Sequence, residues 1–261
     1  MTQRKKCAFC GDNAAKISGE HIWSAWIGRL LGSPSYAWRF TDPETRQVRQ
    51  WKGFLDTKAN VVCKPCNEGW MSQLESEAKR ELSAIITGGA KVSLSPRGIV
   101  TLAAFTFKNA VIANYMNTRR EPFFPPAARQ RFKSTLEIPP NVQMWLAAFG
   151  GTYKSGTFIG HVSGPAATRN YGPWNEFEFY AFTYSVGGLV AQLLAPRWAP
   201  IDKRGLPVPI LRPNEAWNKV GVQFWPSDGS SVGWPPPQYL DDDSIDAFTN
   251  RWTAPVKFVG W

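Results

Sequence analysis

The sequence predicts an α+β chain: a metal-stapled N-terminal unit, then helices, then an antiparallel sheet. Three observations carry this expectation. Two CxxC pairs, Cys7-Ala-Phe-Cys10 and Cys63-Lys-Pro-Cys66, use all four cysteines of the 261-residue chain. Met71, Leu74, Ala78, Leu82 and Ile85 recur at helical spacing behind the second pair. From 142 to 224 the pattern turns strand-like, with Gly and Pro between the runs.

The elements follow in order. Gly11-Asp-Asn reads as a turn, and Ala15-Lys16-Ile17 as a short strand leading into Ser18-Gly19-Glu20-His21. Ile22, Trp23, Trp26, Ile27, Leu30 and Leu31 form a helical stripe stopped by Gly32, with Pro34 beyond. Two strands, 36–40 and 47–53, flank the turn Thr41-Asp-Pro-Glu-Thr45. The second cysteine pair opens a helix that ends at Gly88-Gly89. Ser95-Pro96 caps a helix to about Asn117, and Pro125-Pro126 begins a shorter one. Strands are expected at 142–149, 157–163, 176–184, 186–194 and 220–225, and a last helix at 243–252. The composition shift near 88–95 divides the chain into a metal-bound unit, 1–89, and an α+β unit, 90–261.

Bulk properties narrow the function classes. No apolar run approaches the ~20 residues that span a bilayer, and Met1-Thr-Gln-Arg-Lys-Lys lacks the apolar core of a secretory signal. The expectation is therefore a cytoplasmic protein whose thiols bind metal rather than pair as disulfides. Net charge is +10 with an isoelectric point near 9.6, a balance that favours polyanionic partners. The 13 tryptophans fit an aromatic-rich core more readily than base stacking.

Each CxxC turn aims two thiolates at one point, and two turns complete the tetrahedral cage that Zn²⁺ adopts in closed structural sites. Zinc ribbons usually separate their pairs by roughly 12–20 residues. Here the pairs are separated by the whole stretch from Cys10 to Cys63, so closing the cage brings Glu20, His21 and Asn67 toward one another. A carboxylate, an imidazole and an amide are the groups a hard-metal phosphodiester hydrolase needs. Each also has a plainer role: a turn hydrogen bond for His21, a solvated or helix-start charge for Glu20, and a helix N-cap for Asn67. His161 has no acidic or cysteine neighbours in sequence, and Asp241-Asp242-Asp243 suits a solvated helix start.

Cys7-x-x-Cys10, Glu20-His21-Ile22 and Asn60-Val-Val-Cys63-Lys-Pro-Cys66-Asn67 followed by a helix together resemble the HNH endonucleases, over about the first third of the chain. The resemblance implies a ββα-metal core with structural zinc on Cys7, Cys10, Cys63 and Cys66. It further implies His21 as general base, Asn60 as the residue that fixes the loop, and Glu20 and Asn67 as ligands of a catalytic Mg²⁺ or Mn²⁺. Two departures stand out: Glu20 replaces the commoner Asp, and Trp23-Ser24-Ala25-Trp26 replaces a proline often found after the histidine. The implied activity is hydrolysis of DNA, ahead of RNA. Arg39, Arg46, Arg49, Lys52 and Lys64 are expected to touch phosphates, with Lys58 and the arm Arg4-Lys5-Lys6 beside them. The 90–261 unit is assigned substrate positioning, homodimer formation or docking of a partner protein, as when such nucleases serve as defence effectors or toxins. The competing class is a zinc-stapled nucleic-acid-binding or protein-interaction module without catalysis.

Overall fold

The computed structural model describes residues 6–12, 15–21, 23–32, 35–41, 48–54, 58–116, 122–152, 157–168, 175–198 and 215–251. It is an α+β fold. Strand β1 (Ile17–His21) pairs antiparallel with β4 (Lys58–Cys63), and helix α1 (Ala25–Leu31) follows β1. Between them β2 (Ser35–Thr41) and β3 (Val48–Phe54) form the expected hairpin. Glu20 and His21 therefore sit on β1 itself. The helix begins at Ala25 rather than Ile22, because the chain is still extended at Ser24 (φ −52°, ψ 133°).

A single helical turn, α2 (Lys64–Cys66), runs into a widened π segment (Asn67–Met71) and then α3 (Ser72–Thr87). Gly69 leaves helical geometry inside that segment (φ −91°, ψ −113°), a conformation its missing side chain makes accessible. Leu74, Ala78, Leu82, Ile85 and Ile86 bury the inner face of α3.

The centre of the molecule is α4 (Pro96–Met116). Residues 101–114 of this helix are all buried, as expected of a helix that is apolar nearly all round. One face of a six-stranded sheet packs on it. In that sheet β10 (Gly221–Trp225), β6 (Gln143–Phe149), β9 (Leu189–Trp198), β8 (Asn175–Val186) and β7 (Thr157–Thr168) lie side by side, all antiparallel. β12 (Tyr239–Leu240) adds to β6 in parallel. The opposite face carries a smaller core of Trp145, Phe149, Phe179, Leu194 and Phe248, covered by α6 (Ser244–Asn250). Short strands β5 (Val92–Leu94) and β11 (Val232–Trp234) pair separately. Asp241 accepts the Ser244 N–H at 2.8 Å and Asp243 occupies the capping position of α6, so the acidic run lies at a helix start as expected.

The main core is continuous across the boundary expected at 89/90. Cys7, Phe9, Val62, Cys66 and Leu82 belong to the same buried cluster as Phe105, Phe132, Tyr180 and Leu193. The β2–β3 hairpin also packs against β7 through β2. Among the described residues, no helix is long and apolar enough to cross a membrane.

Candidate metal centre and the adjoining strand–helix site

The first knuckle closes where the Gly11 N–H reaches the Cys7 carbonyl at 3.0 Å, with Gly11 left-handed at φ 72°. The Ala8 N–H donates to the Val61 carbonyl at 2.8 Å, which hangs the knuckle on β4. The second knuckle is the β4–α2 corner, fixed to the residue just before β1 by the Lys64 N–H to the Lys16 carbonyl at 2.9 Å. These backbone bonds bring together cysteines 53 or more residues apart in sequence.

The ligand atoms of Cys7, Cys10, Cys63 and Cys66 all lie within 4.8 Å of one another, and Cys10 Sγ is 3.6 Å from Cys63 Sγ. Zn–S bonds of about 2.3 Å place tetrahedral sulfurs about 3.8 Å apart. The donor set thus fits a structural zinc, and four sulfurs leave such an ion closed. The Cys63 N–H donates to Cys7 Sγ at 3.3 Å, the kind of bond that steadies a thiolate. A hydrogen bond from Cys66, helped by backbone N–H groups, pulls the Cys7 thiol down to about 4, while the same bond pushes Cys66 up.

The cage is buttressed from the second half of the chain. Helix α5 (Pro126–Thr135) supplies Arg129, whose buried guanidinium donates through Nη1 to the Ala8 carbonyl and through Nε to Phe124 O at 2.9 Å. Gln130 Nε2 donates to the Cys10 carbonyl at 3.4 Å. Phe9, Trp70 and Phe132 pack edge-on or tilted over the same corner, with ring centroids 5.0–6.3 Å apart.

One residue past the cage, Asn67 reaches back to β1. Its Nδ2 donates to Ser18 Oγ at 3.0 Å and to the Gly19 carbonyl at 3.4 Å. With the amide nitrogen committed to the strand, the amide oxygen is the group left for a ligand. Asn67 is not a helix N-cap: it already has helical dihedrals, and the capping position before α2 belongs to Cys63. Opposite Gly19 the β1–β4 ladder bulges, with Asn60 and Val61 facing one residue of β1. Asn60 is exposed in that bulge, and its Oδ1 lies 3.5 Å from where a Cβ on Gly19 would stand. His21 pairs with Lys58 across the ladder and is half-buried.

Glu20 is the least expected member. It is 2% exposed, so it is neither a solvated carboxylate nor a helix-start charge. Its Oε1 accepts from Lys108 Nζ at 2.9 Å, and the same ammonium donates to Glu75 Oε1 at 2.6 Å. Lys108 is wholly buried at the centre of α4. Burial works to lower its pKa, but the Glu20 and Glu75 carboxylates outweigh that and raise it above 10.5. For Glu20 burial wins, and its pKa rises. Burial also acts to raise Glu75, but the Lys108 charge beside it prevails and holds the carboxyl below its usual value. The Glu75 charge and its hydrogen bond with Glu20 add to the rise at Glu20.

Of the other expected residues, Lys64 is exposed and sits 3.6 Å from Glu68. Arg39, Arg49 and Lys52 belong to the β2–β3 strands, while Arg46, Arg4 and Lys5 lie outside the described residues. Sequence reasoning missed Lys108, Glu75 and Arg129. The signal for Lys108 was available: a lone charge inside the apolar run 102–113 must be paired once that helix is buried.

The fold and cage define an α+β protein with a four-cysteine centre able to hold a structural metal such as zinc. No family model, curated protein sequence or solved structure matches the chain.

Proposed function

We propose that the chain is a metal-dependent endonuclease of the HNH type that hydrolyses phosphodiester bonds of DNA. The observation that supports it most is the Asn67 amide, which docks the start of the helix onto β1 directly before Glu20-His21, one residue beyond the cysteine cage. Glu20 and Asn67 would hold Mg²⁺ or Mn²⁺, which when bound supplies electrostatic stabilisation of the charge that builds on the phosphate. His21 takes a proton from the attacking water, a role that suits an imidazole near neutral pH and is worth about 10²–10⁴-fold in rate. Asn60, in the bulge opposite Gly19, would be the residue that fixes the loop before the second knuckle. Exposed Lys58 and Lys64, with the arginines and Lys52 of the hairpin, contact the DNA backbone and carry no sequence preference.

A zinc-stapled binding module without catalysis is the competing reading. It is favoured by one observation, the burial of Glu20 against Lys108. Incubating supercoiled plasmid with the zinc-loaded protein in Mg²⁺ or Mn²⁺, against EDTA, separates the two. The nuclease reading expects nicked or linear DNA only with the divalent ion, bearing 5′-phosphate and 3′-hydroxyl ends. Retarded but intact plasmid under every condition would favour the binding module. RNA digested faster than DNA would change the substrate.

A further inference from the structure

We infer that Lys108, anchored by Glu75, is a positioning residue for the proposed divalent-ion site: it fixes the orientation of the Glu20 carboxylate from a helix outside the nuclease-like third of the chain. This rests on the nuclease reading of Glu20. The Lys108 ammonium is 2.9 Å from Glu20 Oε1 and 2.6 Å from Glu75 Oε1. It stands at the middle of α4, 88 residues beyond Glu20 and 33 beyond Glu75. One oxygen of Glu20 is thereby committed to a rigid buried donor, so the carboxylate cannot spin about its last bond. The Glu20 carboxyl also meets that of Glu75, so the three groups hold one another in a single arrangement. A glutamate reaches one methylene further than the commoner aspartate, and the longer side chain has one more torsion to restrain. Glu75 holds the far side of the same ammonium, so that Lys108 is not drawn wholly onto Glu20.

Charge and positioning predict opposite results when Lys108 is removed. Lys108→Met takes a positive charge away, and electrostatics alone would tighten cation binding. Loss of the orienting donor weakens it. The test is Mn²⁺ binding to the zinc-loaded full-length chain, followed by electron paramagnetic resonance at low temperature, with zinc content measured alongside. Wild type is expected to bind Mn²⁺, and Lys108→Met to raise the dissociation constant tenfold or more while keeping its zinc. Lys108→Arg, which keeps both donor and charge, should recover most of the affinity. An unchanged or tighter constant in Lys108→Met overturns the positioning role while leaving the nuclease reading intact. Absence of Mn²⁺ binding in wild type itself would sink both. If Lys108→Met does not fold, Glu75→Gln takes its place. It removes one negative charge and one anchor and should weaken Mn²⁺ binding severalfold, and wild-type affinity in that variant would equally overturn the inference.

Discussion

Lys108 shows how a single side chain can tie distant segments together. A buried ammonium is tolerable only when paired, and here two carboxylates from two different elements supply the pairing. Breaking such a group by deleting one partner costs about 3–5 kcal/mol, because the remaining charges stay buried without compensation. The pH dependence follows from the direction of the shift. The folded pKa of Lys108 lies above its ordinary 10.5, so its stabilisation is fully present below that value and is lost as pH rises through the folded one. Melting temperatures of wild type and Lys108→Met should therefore differ widely at neutral pH and converge above pH 10.5. A gap that stays constant into strong alkali would contradict the ion-pair account.

The β8–β9 hairpin shows the same logic one scale up. Its tip, Gly187-Gly188, abuts the end of α3: the Gly188 N–H donates to the Ile86 carbonyl at 2.8 Å, and the Phe149 N–H donates to the Gly188 carbonyl at 2.9 Å. Gly187 is left-handed at φ 57°, and a Cβ there would stand 2.0 Å from the Ile86 carbonyl oxygen. Gly187→Ala combines left-handed strain with a backbone clash and should cost about 2–4 kcal/mol, read as a lowered denaturation midpoint at unchanged slope. Most of the longer elements were legible because each announces itself locally, whereas the strands at 58–63, 92–94, 232–234 and 239–240 were not anticipated. Helix α4 begins at the anticipated proline, α3 ends at Gly88, and the hairpin and the long strands fall within a few residues of their expected bounds. Pairing was not legible. Nothing local in 58–63 says that it will lie against Ile17–His21, nor in 232–234 that it will lie against Val92–Leu94. Such contacts are decided by what the rest of the core leaves exposed. The candidate site divides in the same way. Regular CxxC spacing revealed the cage, whereas the Lys108–Glu75 clamp and the Arg129 buttress come from sequence positions far from the motif.

Across the whole molecule, one hydrophobic cluster runs from the cysteine cage through α4 to the sheet. The third that carries the cysteine cage is thus braced by the remainder, through Arg129 and Gln130 at the first knuckle and Lys108 at Glu20. A net charge of +10 adds a general attraction for polyanions that weakens as salt rises, and the proposed encounter with DNA would draw on it. The cage and this brace hold β1 against the helix start, and the proposed chemistry depends on His21 at the end of that strand. His21 is not a ligand of the cage, so its removal should leave metal and fold intact. The decisive measurement is the rate at which zinc-loaded wild type and His21→Ala nick supercoiled plasmid in Mg²⁺, with zinc content and melting temperature recorded for both. The account predicts a loss of about 10²–10⁴-fold in rate at equal zinc and equal melting temperature. Wild-type cleavage by His21→Ala, or no cleavage by wild type in Mg²⁺ or Mn²⁺, would contradict it.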